Sequence, residues 1–170
     1  IGTLWTITAD RDLAPIEATL KARIESFDNT YSRFIQDSMI RKMGDIPGTY
    51  ELPEDARPLI DMYASLYKAT NGLVTPLIGS TLEQAGYDAN YSFEIGAVSA
   101  PPAWDDAMTY AFPTLTIKQP VVLDFGAAGK GYLVDIVAEL LTEAHYETYC
   151  VNAGGDIVVK GMQRIGLEDP

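Results

Sequence analysis

At 170 residues, 47% of them hydrophobic, the chain is sized for one domain, which at this length buries about two-thirds of its unfolded surface. Its 24 acidic against 12 basic residues, a formal net charge of −12 at pH 7, exclude the basic footprint of a nucleic-acid binder and disfavour an anionic membrane surface. An anionic ligand would therefore need local compensation from a lysine, from amide groups or from a divalent cation held by carboxylates.

The segment Leu4 to Thr8 alternates large apolar residues with threonine, as a half-buried strand does, and Ala9 to Asp12 ends it. A long helix follows. Asp12 caps it, Pro15 sits in its first turn, and Leu13, Ile16, Leu20, Ile24, Phe27 and Tyr31 step by three or four along one core-facing stripe. The stretch FDNTYSRFIQDSMIRKM then mixes hydroxyl and charged residues with aromatics. Tyr31 and Phe34 are its candidates for stacking on a planar ligand, although core packing is the simpler reading of both. Gly44 to Thr49, with Pro47 and Gly48, reads as a turn or loop.

A second helix is predicted from Pro53 to about Thr70, ended by Asn71-Gly72, with Ala56, Leu59, Ile60, Tyr63, Leu66 and Tyr67 on its apolar face and Arg57-Pro58 delaying its start. The run GLVTPLIGSTLEQAGYD is apolar but broken by Pro76, Gly79 and Gly86, which predicts a buried loop with short helical turns, the kind of segment that lines sites. Asp105-Asp106, after Pro101-Pro102, is read as a helix start ahead of a cation site. Leu115 to Lys118 alternates as a strand, and Gln119-Pro120 is expected to turn it into a buried central strand, Val121-Val122-Leu123.

That apolar run stops at Asp124 and opens DFGAAGKGYLVD, the stretch around which the chain is organised. Gly126, Gly129 and Gly131 present no side chains to an approaching ligand, and Tyr132, Leu133, Ile136, Val137, Leu140 and Leu141 continue as an amphipathic helix. Free N–H groups at a helix start favour an anion, Lys130 adds a full positive charge, and the implied ligand type is a phosphate or pyrophosphate. A tight structural turn would use the same glycines. The P-loop pattern fails, because Asp124 and Gly131 hold the positions where it needs Gly and Ser or Thr. Asp124-Phe125-Gly126 spells a kinase metal motif without the other kinase loops.

Beyond this helix, the sole histidine, His145, reads as an ordinary polar residue at a helix end, and the sole cysteine, Cys150, rules out an intrachain disulfide and a cysteine zinc site. Thr148 to Val151 and Ile157 to Val159 are predicted strands about a second glycine turn, Asn152 to Asp156, expected to face one cleft with the first. Ile165 to Leu167 reads as the beginning of another strand. The order of elements gives an α+β fold with a mixed, mostly antiparallel sheet packed with helices, in one domain over residues 1–170.

DFGAAGKGYLVD followed by VNAGGDI resembles the paired signature of the bacterial FAD:protein FMN transferases, the ApbE-type flavin transferases, whose segments read approximately D-L-G-G-I-A-K-G-Y-x-V-D and V-x-x-G-G-[DE]. IGTLWTI is similar to the family's M-G-T-x-W, DNTYSRFIQDSMI to its S-x-Y-x-x-x-S-x-I, and ATNGLVTPLIG to its T-x-G-x-F-D-x-T-x-G, all in the family's order. The resemblance implies an enzyme that binds FAD with a divalent metal, usually Mg2+, and transfers FMN to a Thr or Ser hydroxyl of an acceptor protein with release of AMP. FAD hydrolysis to FMN and AMP, or FAD binding without turnover, are the alternatives.

Carried over by position, the resemblance implies that Asp124 and Lys130 contact FAD and that the Ala127 carbonyl binds the metal. It further implies that Leu73, Val74 and Thr75 line the flavin pocket, that Phe34 stacks on the ring, and that Ile1 takes the adenine-side position of a methionine. Thr75 stands where Asp is more usual, and Gly129 where Ala is common. The family's remaining metal ligands, an Asp and a Thr or Ser, are expected beyond Pro170, so the chain is expected to lack the C-terminal segment and with it the catalytic residues. An anchor or export signal ahead of Ile1 would place the protein at the membrane, in the periplasm or on the cell surface; a cytoplasmic location is the alternative.

Overall fold

A computed structural model describes residues 3–162 and Gly166; the expectations for Ile1 and for a strand from Ile165 to Leu167 lie outside the described residues. The chain divides into two compact units, Ile1–Phe27 with Ala128–Pro170, and Asp28–Ala127. No helix among the described residues is long and apolar enough to cross a membrane.

The first unit is built on an antiparallel sheet in the order β1 (Trp5–Ala9), β5 (Tyr149–Ala153), β6 (Asp156–Lys160), with Ile7 opposite Val151 and Val151 opposite Val158. The period of two along β5 buries Tyr149, Val151 and Ala153 and leaves Cys150 and Asn152 partly exposed. Buried residues from α1 (Glu17–Tyr31) and α6 (Gly126–Glu143), among them Leu20, Phe27, Leu133, Val137 and Leu141, complete this core. Tyr149 ties strand to helix: its hydroxyl donates to the Ala138 carbonyl at 3.0 Å and lies 2.9 Å from the Thr142 hydroxyl. The first helix starts at Glu17 and not at Leu13. Asp12 accepts instead from Ala14 N at 3.0 Å, and a turn through Ile16 leads into the helix.

Helix α6 ends in a paired cap: Tyr146 N donates to Leu141 O at 3.0 Å and His145 N to Thr142 O at 2.9 Å. His145 occupies the left-handed position of this cap at φ 62°, where glycine is usual. The same cap closes α3 (Ala56–Ala69), with Asn71 at φ 52° and Gly72 N bonded to Tyr67 O at 2.8 Å, as Asn71-Gly72 predicted.

The second unit carries the sheet β2 (Gly48–Glu51), β4 (Thr114–Ile117), β3 (Met108–Ala111), antiparallel throughout. Gly44 and Gly48 are not in one loop: Gly44 lies in α2 (Met39–Asp45) and Gly48 opens β2. Helix α3 begins at Ala56, three residues later than predicted, and Pro58 is accommodated in its first turn, where a missing N–H costs nothing. Its buried face stops at Tyr63, and Leu66 stays exposed. Short helical turns, a 3-10 turn at Pro76–Ile78 and α4 (Gly79–Gln84), form as the broken apolar run predicted. Asp105 and Asp106 lie in the first turn of α5 (Trp104–Ala107).

The predicted central strand is a correction. Val121 and Leu123 are buried, but the segment joins no ladder, because β2 and β3 already occupy both edges of β4. Its backbone is satisfied elsewhere: Val121 N donates to Gly44 O at 3.0 Å, Val122 N to Ser80 Oγ at 3.3 Å, and Asp124 N to Pro76 O at 2.7 Å. A Cβ on Gly44 would stand 2.2 Å from Val121 O, and one on Gly79 2.3 Å from Val122 O, so these glycines exist to let backbone approach backbone.

Candidate functional site

The buried segment delivers Asp124, whose side chain is 11% exposed, to the mouth of α6. Here too the structure corrects the sequence reading. The glycines do not form a loop before the helix; Gly126, Gly129 and Gly131 are inside it. Asp124 Oδ1 accepts from Gly126 N at 2.7 Å, the bond of a capping carboxylate, and Oδ2 accepts from Arg33 Nε at 2.5 Å. Arg33, on the segment between α1 and α2, is almost wholly buried, and Glu83 of α4 approaches its Nη1 at 3.8 Å while bonding Arg41 Nη1 at 2.6 Å. Arg41, Glu83, Arg33 and Asp124 thus form a charge-balanced chain.

Phe34 sits beside this chain. The Arg33 guanidinium lies 4.1 Å from the centre of the Phe34 ring and 4.9 Å from that of Tyr87. Tyr87 meets Phe34 edge-on, and Tyr91 stacks on it at 5.6 Å with planes 6° apart. Tyr91 is held in the left-handed region at φ 51°. The Asp88 carboxylate organises this turn, accepting from Asn90 N, Ser92 N and the Ser92 hydroxyl; those bonds, the hydroxyl's first, hold its carboxyl below the usual carboxylate range. Tyr31 is a core residue, its hydroxyl donating to Asp55 at 2.5 Å.

Thr75 is buried, and its hydroxyl oxygen accepts from Leu77 N at 3.2 Å, capping the 3-10 turn. Because Pro76 O receives the Asp124 N–H, Thr75 lies in the same neighbourhood as Asp124. Val74 is half-buried, its N–H donating to Thr70 Oγ1 at 3.0 Å, and the Leu73 side chain is 85% exposed. Asp124, Thr75 and Phe34 are therefore brought together within the second unit, whereas Leu73 reaches into solvent.

In the first unit, Lys130 meets the second glycine turn. Its Nζ lies 3.2 Å from Asp156 Oδ2 and 3.4 Å from Gly154 O. Gly154 and Gly155, at φ 61° and 105°, make the two-residue turn between β5 and β6, and Asn152 Oδ1 accepts from Gly155 N at 3.0 Å. Lys130 is thus a part-buried cation already balanced by a half-exposed carboxylate, and an anion arriving there competes with Asp156. A Cβ on Gly131 would meet nothing within 4 Å, consistent with open space along that part of the helix.

Ala127 lies in the first turn of α6, where its carbonyl is an intrahelical acceptor. Among the described residues no group of three or more His, Cys, Asp or Glu converges. With no such group to complete a coordination shell, the described residues do not by themselves fit a divalent ion. A separate cleft of about 640 Å³ in the second unit is lined by Arg57, Asp61, Tyr67, Trp104, Tyr110 and Phe112, among others, and by none of the residues that the resemblance assigns to FAD or the metal. Burial first, then Asp61, pushes the Tyr110 phenol there up to about 12. Sequence reasoning missed Arg33, Glu83, Tyr87 and Tyr91. The basic residue adjoining Phe34 was the one available signal.

The sequence model of the ApbE family matches residues 1–170. No curated protein matches. Among solved structures, a histidine-to-glycine mutant of the flavin transferase ApbE from Vibrio cholerae is 19% identical with a TM-score of 0.82, and the match covers 96% of this chain and 61% of that one. The apo flavinyl transferase ApbE from Pseudomonas stutzeri is 18% identical (TM-score 0.75, covering 92% of this chain and 55% of that one). The ApbE protein from Thermotoga maritima is 21% identical (TM-score 0.77, covering 95% and 57%). The chain thus spans a little over half the length of these relatives and shares their fold of mixed helices and antiparallel sheets.

Proposed function

We propose, since this chain belongs to the ApbE family, that it carries the FAD-binding part of a flavin transferase, which moves FMN from FAD to a Thr or Ser hydroxyl of an acceptor protein. The observation that carries the reading is the match of the family over residues 1–170, and the geometry around Asp124 and Lys130 supports it. In the reaction proposed, the acceptor hydroxyl oxygen bonds to the FMN-side phosphorus and the pyrophosphate P–O bond breaks. AMP leaves with the bridging oxygen of the pyrophosphate, the acceptor oxygen stays bonded to the FMN phosphorus, and the hydroxyl proton passes to solvent.

The chain's own residues bind and orient. Lys130 exchanges its bond to Asp156 for one to the pyrophosphate, Phe34 offers the flavin the ring face that Tyr91 covers and must vacate, and Asp124 accepts from a donor group of FAD while holding the start of α6. No step runs through a divalent ion, because no group of three or more His, Cys, Asp or Glu converges among the described residues to hold one.

The test incubates the full-length protein with FAD, magnesium and a threonine-bearing acceptor peptide. A peptide mass increase equal to FMN less water, together with AMP, is expected. AMP with free FMN and an unlabelled peptide would replace transfer by hydrolysis, and bound, unchanged FAD would leave a binding module. Lys130→Ala is expected to weaken FAD binding about tenfold or more, the order lost with a charge-assisted bond to phosphate. Unchanged affinity would remove Lys130 from the pyrophosphate site.

A further inference from the structure

We propose that Arg33 is the positioning residue for Asp124, fixing the carboxylate and the Phe34 ring to one another so that both meet FAD in a single arrangement; this rests on the FAD-binding reading above. An arginine that neutralises a buried carboxylate frequently does so through two parallel N–H bonds. Arg33 does not. It bonds Asp124 Oδ2 through Nε alone, at 2.5 Å, and its buried Nη1 and Nη2 have no hydrogen-bond partner among the described residues. The terminal end of the guanidinium is instead laid against two rings, Phe34 at 4.1 Å and Tyr87 at 4.9 Å. With its side chain 2% exposed and Glu83 3.8 Å from Nη1, the plane is fixed from several sides.

The consequence for the site is a mechanical link. Holding Oδ2 leaves Oδ1 aimed at Gly126 N, 2.7 Å away, so the carboxylate cannot rotate without breaking a bond at each oxygen. The same guanidinium plane sets the tilt of the aromatic pair, which meets edge-on at 5.3 Å and 69°. Lysine would supply the charge at this position but neither the directed Nε–H nor the flat face. Arg33 therefore acts through Asp124 and Phe34 and touches no reacting atom.

The test measures FAD affinity by fluorescence quenching, with urea midpoints alongside, for the full-length wild type, Arg33→Lys, Arg33→Met, Asp124→Asn and the Arg33→Met/Asp124→Asn double variant. Arg33→Met and Asp124→Asn are each expected to weaken FAD about tenfold, with the double variant no worse than the weaker single, because the two side chains act as one unit. Arg33→Lys is expected to lose about threefold or more in affinity with a near wild-type urea midpoint, a split that a purely structural role would not give. Multiplying effects in the double variant, or an Arg33→Lys affinity within about twofold of wild type, would overturn the inference. If Arg33→Met does not fold, Arg33→Lys decides by the same criterion. A wild type that binds no FAD overturns the underlying function, whereas a wild type that binds with Arg33 variants unaffected overturns only the role of Arg33.

Discussion

The threading of the buried segment between two glycines makes Gly79→Ala an informative perturbation. Gly79 opens α4 with ordinary helical angles, φ −56° and ψ −45°, so alanine is conformationally welcome and should gain about 1 kcal/mol in helix propensity. Its Cβ, however, would stand 2.3 Å from Val122 O, 2.7 Å from Val122 Cγ1 and 2.8 Å from the carbonyl carbon. Ordinary contact begins at 3.4 Å, so the Val122 backbone must retreat by about 1 Å, and as main chain it has no rotamer with which to yield. Overpacking of this kind costs about 1–3 kcal/mol. The retreat also strains the bonds of Val122 N to Ser80 and Asp124 N to Pro76, each worth about 1 kcal/mol. After the propensity gain, a net loss of about 1–3 kcal/mol remains.

Urea unfolding of Gly79→Ala beside Gly131→Ala provides the measurement. Gly131 is also helical, but a Cβ there meets nothing within 4 Å, so alanine should stabilise by about 0.5–1 kcal/mol. Opposite signs for the two variants are expected. If Gly79→Ala is as stable as wild type, the close approach of α4 to the segment carrying Asp124 does not exist as described.

Three other outcomes follow from the geometry. His145→Gly should raise stability by about 1 kcal/mol in thermal unfolding, because it removes the left-handed strain of a residue with a Cβ and keeps the cap; no change would mean that His145 does not hold φ 62°. Tyr91→Ala should strengthen riboflavin binding up to about tenfold by uncovering the Phe34 face, since stacked rings contribute about 0.5–1.5 kcal/mol, and weaker binding would instead make Tyr91 part of the ring site. The Tyr110 phenol, raised from 10.0 to about 12, favours its neutral form in the fold, so this contribution to stability is full below pH 10 and lost as pH rises towards 12. Tyr110→Phe should flatten that alkaline decline, and an unaltered decline would assign it to another group.

Much of the second unit was legible because its signals are local. Asn71-Gly72 ended α3 through φ values that Asn and Gly tolerate, and the broken run after Gly72 gave short turns because Pro76 and Gly79 punctuate it. Val121-Val122-Leu123 misled for a physical reason: an apolar triplet reports burial and not the partner of its N–H groups. Burial was met. The partners proved to be helix and turn carbonyls and one serine hydroxyl.

By itself the sequence determined the family, the α+β class, the strands about the Gly154-Gly155 turn and the helix that follows Asp124, because motif order and hydrophobic period are properties of the chain alone. Only the tertiary structure decided that the glycines of this stretch lie within α6, that Lys130 is engaged by Asp156, and that Asp124 is held by an arginine 91 positions away in sequence. Pairings over such separations depend on which backbones approach closely enough, as at Gly44 and Gly79, and no local pattern encodes that distance.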